Sequence, residues 1–238
     1  MAIKKHDFVE IEYTGTLKED NEVFDTTKED VAKKQGFYRK GATYSPLVVC
    51  VGEQFLVKGL DECLIGKEIG KEYTVDISPE QGFGKKDTKL LQMIPANKFR
   101  QSDVQPFPGL KVNVDDAIGT IKTVSGGRVM VDFNHPLSGR DLSYTFTVLA
   151  VIDNEKRKVD AYFRHLGLEN LDISAENGVV TVKMLHKIDE AIEKEFAARI
   201  RGLIPSIKEV KFVQEKKSSP WNEEKEHIHR HEGHGHHH

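Results

Sequence analysis

Reactive groups are scarce in this 238-residue chain: it has two cysteines, one tryptophan and a net charge of only −3. Cys50 and Cys63 stand in apolar surroundings without C-x-x-C spacing, which excludes a disulfide scaffold and a cysteine zinc site and predicts inert core thiols. With 35 basic against 38 acidic residues there is no electropositive excess to attract nucleic acid. No apolar run approaches the ~20 residues that span a bilayer, and the longest, such as residues 148–152, are strand-sized. Charges at Lys4, Lys5 and Asp7 interrupt the start, where a signal peptide would need an apolar stretch. The expectation is a cytoplasmic chain that takes neither nucleic acid nor membrane as a partner. Conventional catalytic motifs are missing too: there is no G-x-S-x-G, Walker loop, H-E-x-x-H or G-x-G-x-x-G. His6, His135, His165 and His186 are scattered and read as structural or solvated.

What is present is material for real cores, with 38% hydrophobic and 31% charged residues. The length exceeds the ~150 residues of a typical domain, so several units are expected. In residues 8–14, Val9, Ile11 and Tyr13 alternate as in a half-buried strand, and Gly15 is expected to turn the chain. Residues 27–34 predict a short helix opened by a threonine cap and ended by Gly36, followed by a strand over 44–51 and a brief helix after Gly59. Strands follow over 72–77 and 143–152, the latter with Tyr144, Phe146 and Val148 on one face. The class is α+β, a curved antiparallel sheet around a short helix, in residues 1–87 and 134–152.

Residues 88–133 read as an inserted small β domain, broken by prolines and glycines, with a hairpin at Ser125-Gly126-Gly127. Leu90, Leu91, Met93, Ile94, Phe99 and Phe107 are more apolar side chains than so small a core covers, which predicts an exposed binding patch. Residues 153–214 form an α/β module. Val159, Tyr162, Phe163 and Leu166 mark one helix, a strand follows Gly178, and Ile188, Ile192, Phe196, Ile200 and Leu203 mark a second helix before a strand over 207–213. This β-α-β order favours parallel pairing. A module of about 60 residues is marginal alone, so it is expected to pack on a neighbouring part or on a second copy of itself as a homodimer. Residues 215–238 lack periodicity and read as a disordered tail.

Five motifs occur in order: Tyr13-Thr14-Gly15, Val23-Phe24-Asp25, Val51-Gly52-Glu53 running to Val57-Lys58-Gly59-Leu60-Asp61, Gly82-Phe83-Gly84, and Asn134-His135-Pro136-Leu137-Ser138-Gly139. Their combination closely resembles the FKBP-type peptidyl-prolyl cis-trans isomerases, particularly the SlyD-like branch whose flap carries an inserted domain. The likeness covers about residues 5–152, and the C-terminal module resembles the extension of long archaeal members. The resemblance implies a pocket of Tyr13, Phe24, Asp25, Leu47, Leu56, Val57, Leu60, Phe83 and Phe146. Leu60 stands where a tryptophan is common, Phe83 where a tyrosine is usual and Leu47 where an aromatic often lies, which argues against tight macrolide binding and leaves peptide turnover open. A carboxylate such as Asp25 beside Phe24 needs a partner, either a tyrosine hydroxyl or an arginine such as Arg39 or Arg140.

The resemblance implies an enzyme without cofactor that isomerises X-Pro bonds in unfolded or partly folded polypeptides. The insert would act as a chaperone through Leu90, Met93, Ile94, Phe99 and Phe107. Two alternatives stand beside this: a catalytically weak holdase, and a metal-delivery protein. The latter rests on His227, His229, His231, His234, His236, His237 and His238, whose imidazoles suit nickel, copper or zinc.

Overall fold

The computed structural model describes residues 2–214, so the predicted histidine metal site and disordered tail lie outside the described residues. The chain divides into two compact units, Met1–Asp153 and Asn154–His238. In the first, β1 (Phe8–Leu17), β2 (Val23–Thr26), α1 (Glu29–Lys34), β3 (Leu47–Cys50), α2 (Lys58–Cys63) and β4 (Glu72–Ile77) precede the insert. The insert contributes β5 (Leu91–Pro95), α3 (Ala96–Gln101), β6 (Lys111–Val114), β7 (Ala117–Ser125) and β8 (Arg128–Asp132), after which β9 (Leu142–Val151) closes the unit.

The main sheet is antiparallel in the order β2-β1-β9-β4, with β3 also pairing β1. Period-2 alternation sends Leu142, Tyr144, Phe146 and Val148 of β9 into one core with Val9 and Ile11 of β1. Leu60 of α2 and Leu64 just beyond it join the same core, so the sheet wraps a short helix as its sequence class implied. Asp61, 2% exposed, faces back onto the preceding loop, where its carboxylate accepts the backbone N–H groups of Gly52 and Gln54 at 3.0 and 2.9 Å. Those bonds hold two residues with φ of 81° and 58°, the left-handed region, and so fix the loop that carries Leu56 and Val57.

Three local expectations fail for identifiable reasons. Gly15 does not turn the chain; β1 runs on to Leu17, and the reversal falls where Asn21 takes φ 59°. Thr27 does not cap α1, because its hydroxyl is engaged by the backbone N–H and C=O of Tyr13, and the helix starts at Glu29 without a side-chain cap. Cys63 is only half-buried, unlike Cys50, and burial pushes its thiol up.

The insert is a separate antiparallel sheet in the order β5-β8-β7-β6. Its core is Ile94, Ala96, Phe99, Ile121, Val129 and Val131. Ile94 and Phe99 are therefore corrected from contact candidates to core: Ile94 points inward from β5 and Phe99 inward from α3. Met93, Phe107, Leu90 and Leu91 remain exposed, joined by Ile118 and Val124.

The second unit holds α4 (Glu155–His165), β10 (Asp172–Glu176), β11 (Val179–Met184), α5 (Glu190–Leu203) and β12 (Glu209–Gln214). Its sheet runs β10-β11-β12, with β11 and β12 parallel on either side of the α5 crossover. Val159, Tyr162 and Phe163 are buried, but Leu166 lies beyond the helix and is exposed. Ile188 precedes α5, and Ile192 in its first turn is exposed, so the buried stripe starts later than the spacing implied.

Candidate active site

Neighbouring strands bring the predicted site residues together. Tyr13 of β1 pairs with Phe146 of β9, and two residues on, Gly15 lies between Asp25 of β2 and Tyr144 of β9. Gly15 is needed there because a Cβ would stand 2.7 Å from Phe24 Cζ and 2.9 Å from Tyr144 Cε1. Its missing side chain lets the rings meet: Phe24 and Tyr144 are edge to face at 5.7 Å, and Phe24 and Phe83 edge to face at 6.4 Å. Leu60 and Phe146 are each 1% exposed and form a buried floor. Tyr13, Phe24, Leu47, Leu56, Val57 and Phe83 are half-buried and pack on that same core, leaving apolar faces open to a ligand.

Asp25 is exposed, and its partner is the Tyr13 hydroxyl, which donates to Oδ2 at 2.7 Å. Neither predicted arginine takes that role in the bonds seen; Arg140 pairs with Glu19 at 3.2 Å. Burial pushes the Tyr13 phenol far above its ordinary value, and the charge and hydrogen bond of Asp25 push it further. Burial and then Asp25 do the same to the Tyr144 phenol. Tyr13 thus serves as a wall and as the donor to Asp25, and Tyr144 as a wall against Tyr13 and Phe24.

Four residues of the site were not singled out from the sequence. Tyr144 belongs by its alternation with Phe146 on β9, a signal that was available. His135, read as scattered, stacks flat on Phe83 at 4.5 Å and 7°. Ser138 is buried and donates to the Phe83 carbonyl at 2.9 Å, and Leu137 packs on the site's core. These three lie in the fifth motif, whose ordered recurrence was the only sequence signal for them.

The sequence profile of the FKBP-type peptidyl-prolyl cis-trans isomerases matches residues 1–104, and that of the FKBP26 IF domain matches residues 92–137. A short-type peptidyl-prolyl cis-trans isomerase of Methanocaldococcus jannaschii is 38% identical over 146 residues, which are 61% of this chain and 92% of that protein. The chain belongs to the FKBP-type peptidyl-prolyl cis-trans isomerase family. Among FKBP-type relatives, the SlyD protein of Aeromonas hydrophila is 34% identical over 146 residues, 60% of this chain and 62% of that one. The SlyD protein of Haemophilus influenzae is 35% identical over 109 residues, 44% of this chain and 57% of its own length. The profile matches thus take in the insert and the site residues from Tyr13 to Phe83, while Tyr144 and Phe146 lie beyond them.

Proposed function

We propose that this isomerase turns X-Pro bonds of folding polypeptides against Tyr13, Phe24, Leu47, Leu56, Val57 and Phe83, over the Leu60–Phe146 floor, while the insert holds the chain nearby. The observation that carries the reading is the half-buried ring cluster whose close packing Gly15 permits. Rotation about the imide bond meets a barrier of about 18–20 kcal/mol because it breaks partial double-bond character. Twisting removes charge separation, so apolar walls favour the twisted form over the planar ones. A thousandfold acceleration asks for about 4 kcal/mol of such preference, within reach of shape and desolvation without proton transfer. The Tyr13–Asp25 hydrogen bond fixes the orientation of one wall.

The deciding experiment is proline-limited refolding of a whole protein, with wild type and Phe83→Ala. Substoichiometric wild type accelerates the slow phase, and Phe83→Ala loses most of that acceleration. Spontaneous kinetics at generous wild-type doses would end the proposal.

A second reading, a catalytically weak holdase, is favoured by Met93, Phe107 and Ile118, which are 59%, 55% and 73% exposed. Suppression of aggregation that survives Phe83→Ala supports it. Three further assignments belong to the proposal. The histidines at 227–238 hold nickel, copper or zinc, tested by calorimetric titration of intact chain against one ended at Lys217. The open edges of β10 and β12 support a homodimer, which a monomer in light scattering at micromolar concentration would exclude. The chain's two cysteines, too few for a disulfide scaffold, support a cytoplasmic setting.

A further inference from the structure

Two chain segments join the insert to the ring cluster, and the bonds between them are unusual. On the site side, Gly139 N–H donates to Gly84 C=O at 2.8 Å and Ser138 Oγ to Phe83 C=O at 2.9 Å. On the insert side, Phe133 N–H donates to Leu90 C=O at 2.9 Å, and Leu91 then pairs with Asp132 in the β5–β8 ladder. Between these two points residues 84–87 and 133–135 lie outside any strand. There the Asn134 side chain stands in for a strand neighbour. Its Oδ1 accepts the Asp87 N–H at 2.8 Å, while its Nδ2 donates to the Asp87 C=O at 3.0 Å.

The amide is itself held. Asp132, 6% exposed, accepts Asn134 Nδ2 at 2.8 Å and Asn134 N–H at 3.0 Å on one carboxylate oxygen. Its other oxygen faces Lys86 Nζ at 3.5 Å and Lys122 Nζ at 3.8 Å. Those cations come from the linking segment and from β7, so a single carboxylate ties together the outgoing segment, the returning segment and the insert sheet. The bonds also allow one orientation of the amide only, since reversal would set its nitrogen against the Asp87 N–H and its oxygen against Asp132.

We infer that Asn134, locked by Asp132, is a positioning residue for protein substrates: it keeps the insert in one fixed relation to the ring cluster, so that a chain caught on the insert is delivered to the turning site. This rests on the holding role given to the insert above. A rigid short connection raises the effective concentration of a tethered chain, and a loose one dilutes it. A short proline peptide, which touches only the ring cluster, gains nothing from the lock.

The test uses the full chain as wild type, Asn134→Ala, Asn134→Asp and Asp132→Ala. For Asn134→Ala, the KM for a proline-limited refolding substrate rises about tenfold with kcat within about twofold, and tetrapeptide turnover is unchanged. Amide 15N relaxation gives insert and ring-cluster region a common tumbling time in wild type and separate ones in the variant, while the insert keeps its folded spectrum. Asn134→Asp, which sets a carboxylate against both Asp132 and the Asp87 C=O, is at least as impaired, and Asp132→Ala, which leaves the amide its Asp87 bonds but removes its anchor, shows a smaller rise in KM than Asn134→Ala with tetrapeptide turnover unchanged. Equal losses on both substrates, or none on the protein substrate, overturn the proposal, and an Asp132→Ala variant indistinguishable from wild type overturns the part given to Asp132. Removal of residues 90–130 separates the two failures: if protein refolding survives that removal, the holding role itself is wrong; if it suffers while Asn134→Ala does not, only the lock is.

Discussion

The isomerase part and its insert use apolar side chains in different proportions. In the isomerase part, thirteen buried residues from Ile3 to Val148 make one core, against four exposed large apolar side chains, Tyr38, Ile65, Ile69 and Leu149. In the insert, six buried residues face six exposed ones: Leu90, Leu91, Met93, Phe107, Ile118 and Val124. A four-stranded sheet with one short helix cannot enclose more, because enclosed volume shrinks faster than surface as a unit gets smaller. One part thus hides its apolar groups to hold a few rings in fixed geometry, and the other leaves them available for contacts of no fixed geometry. The difference teaches that catalysis of a torsion needs a rigid wall, whereas capture of varied chains needs only apolar surface with room around it.

Removing the insert breaks the comparison most sharply. With residues 90–130 replaced by a short bridge, the kcat/KM for protein refolding falls by about a hundredfold through loss of effective concentration, while tetrapeptide turnover is spared. Parallel assays on the two substrates measure this. The reverse intervention disturbs the wall and leaves the insert intact. Gly15→Ala places a Cβ 2.7 Å from Phe24 Cζ, forces that ring aside, and lowers turnover of both substrates by about tenfold, in line with ~1–3 kcal/mol for overpacking. Steady-state kinetics together with an unchanged insert spectrum check it.

The sequence made these two parts legible to different depths. Alternation in β1, β4 and β9 and the five motifs marked the isomerase part, and Ser125-Gly126-Gly127 marked the β7–β8 hairpin. Alternation could not tell which apolar residues of the insert were core, because Met93 and Ile94 are adjacent and equally apolar; only the face each presents from β5 separates them. β10 was missed since Asp172–Glu176 offers a single fully buried residue, Ile173, and so no apolar rhythm. Within the site, the stacking of His135 on Phe83 joins residues far apart in the chain and left no local trace. The choice of Tyr13 over an arginine as the partner of Asp25 was likewise a matter of the β1–β2 register.

Two smaller effects sharpen the contrast further. Tyr13→Phe keeps the wall and removes the bond to Asp25, so turnover falls only about threefold, within the worth of one hydrogen bond of about 0.5–1.5 kcal/mol. Tetrapeptide kinetics measure it, and a loss as large as that of Gly15→Ala would show that the hydroxyl, rather than the ring, carries the site. The smallest effect is on acid sensitivity. Burial pushes the Asp132 carboxyl up, but hydrogen bonds from the Asn134 side chain and backbone, with the charge of Lys86, outweigh it and hold the group below its ordinary value. Its stabilising contribution is therefore complete above the unfolded carboxyl value of about 4 and is lost as pH falls through the lower folded value. Amide spectra taken from pH 6 downward show the β5–β8 pairing loosening in that range, and Asp132→Asn removes the dependence.

The register of the main sheet has a consequence for how the protein is made. Thr16 and Ser143, bonded across β1 and β9, are 127 positions apart, with the whole insert between them. At about 5–20 residues per second, the central strand waits on the order of ten seconds on the ribosome before its longest neighbour emerges. The insert, whose strands pair within a short stretch of chain, is free to fold during that wait. The exposed apolar face of the insert is thus in place before the ring cluster, which waits for β9, is complete.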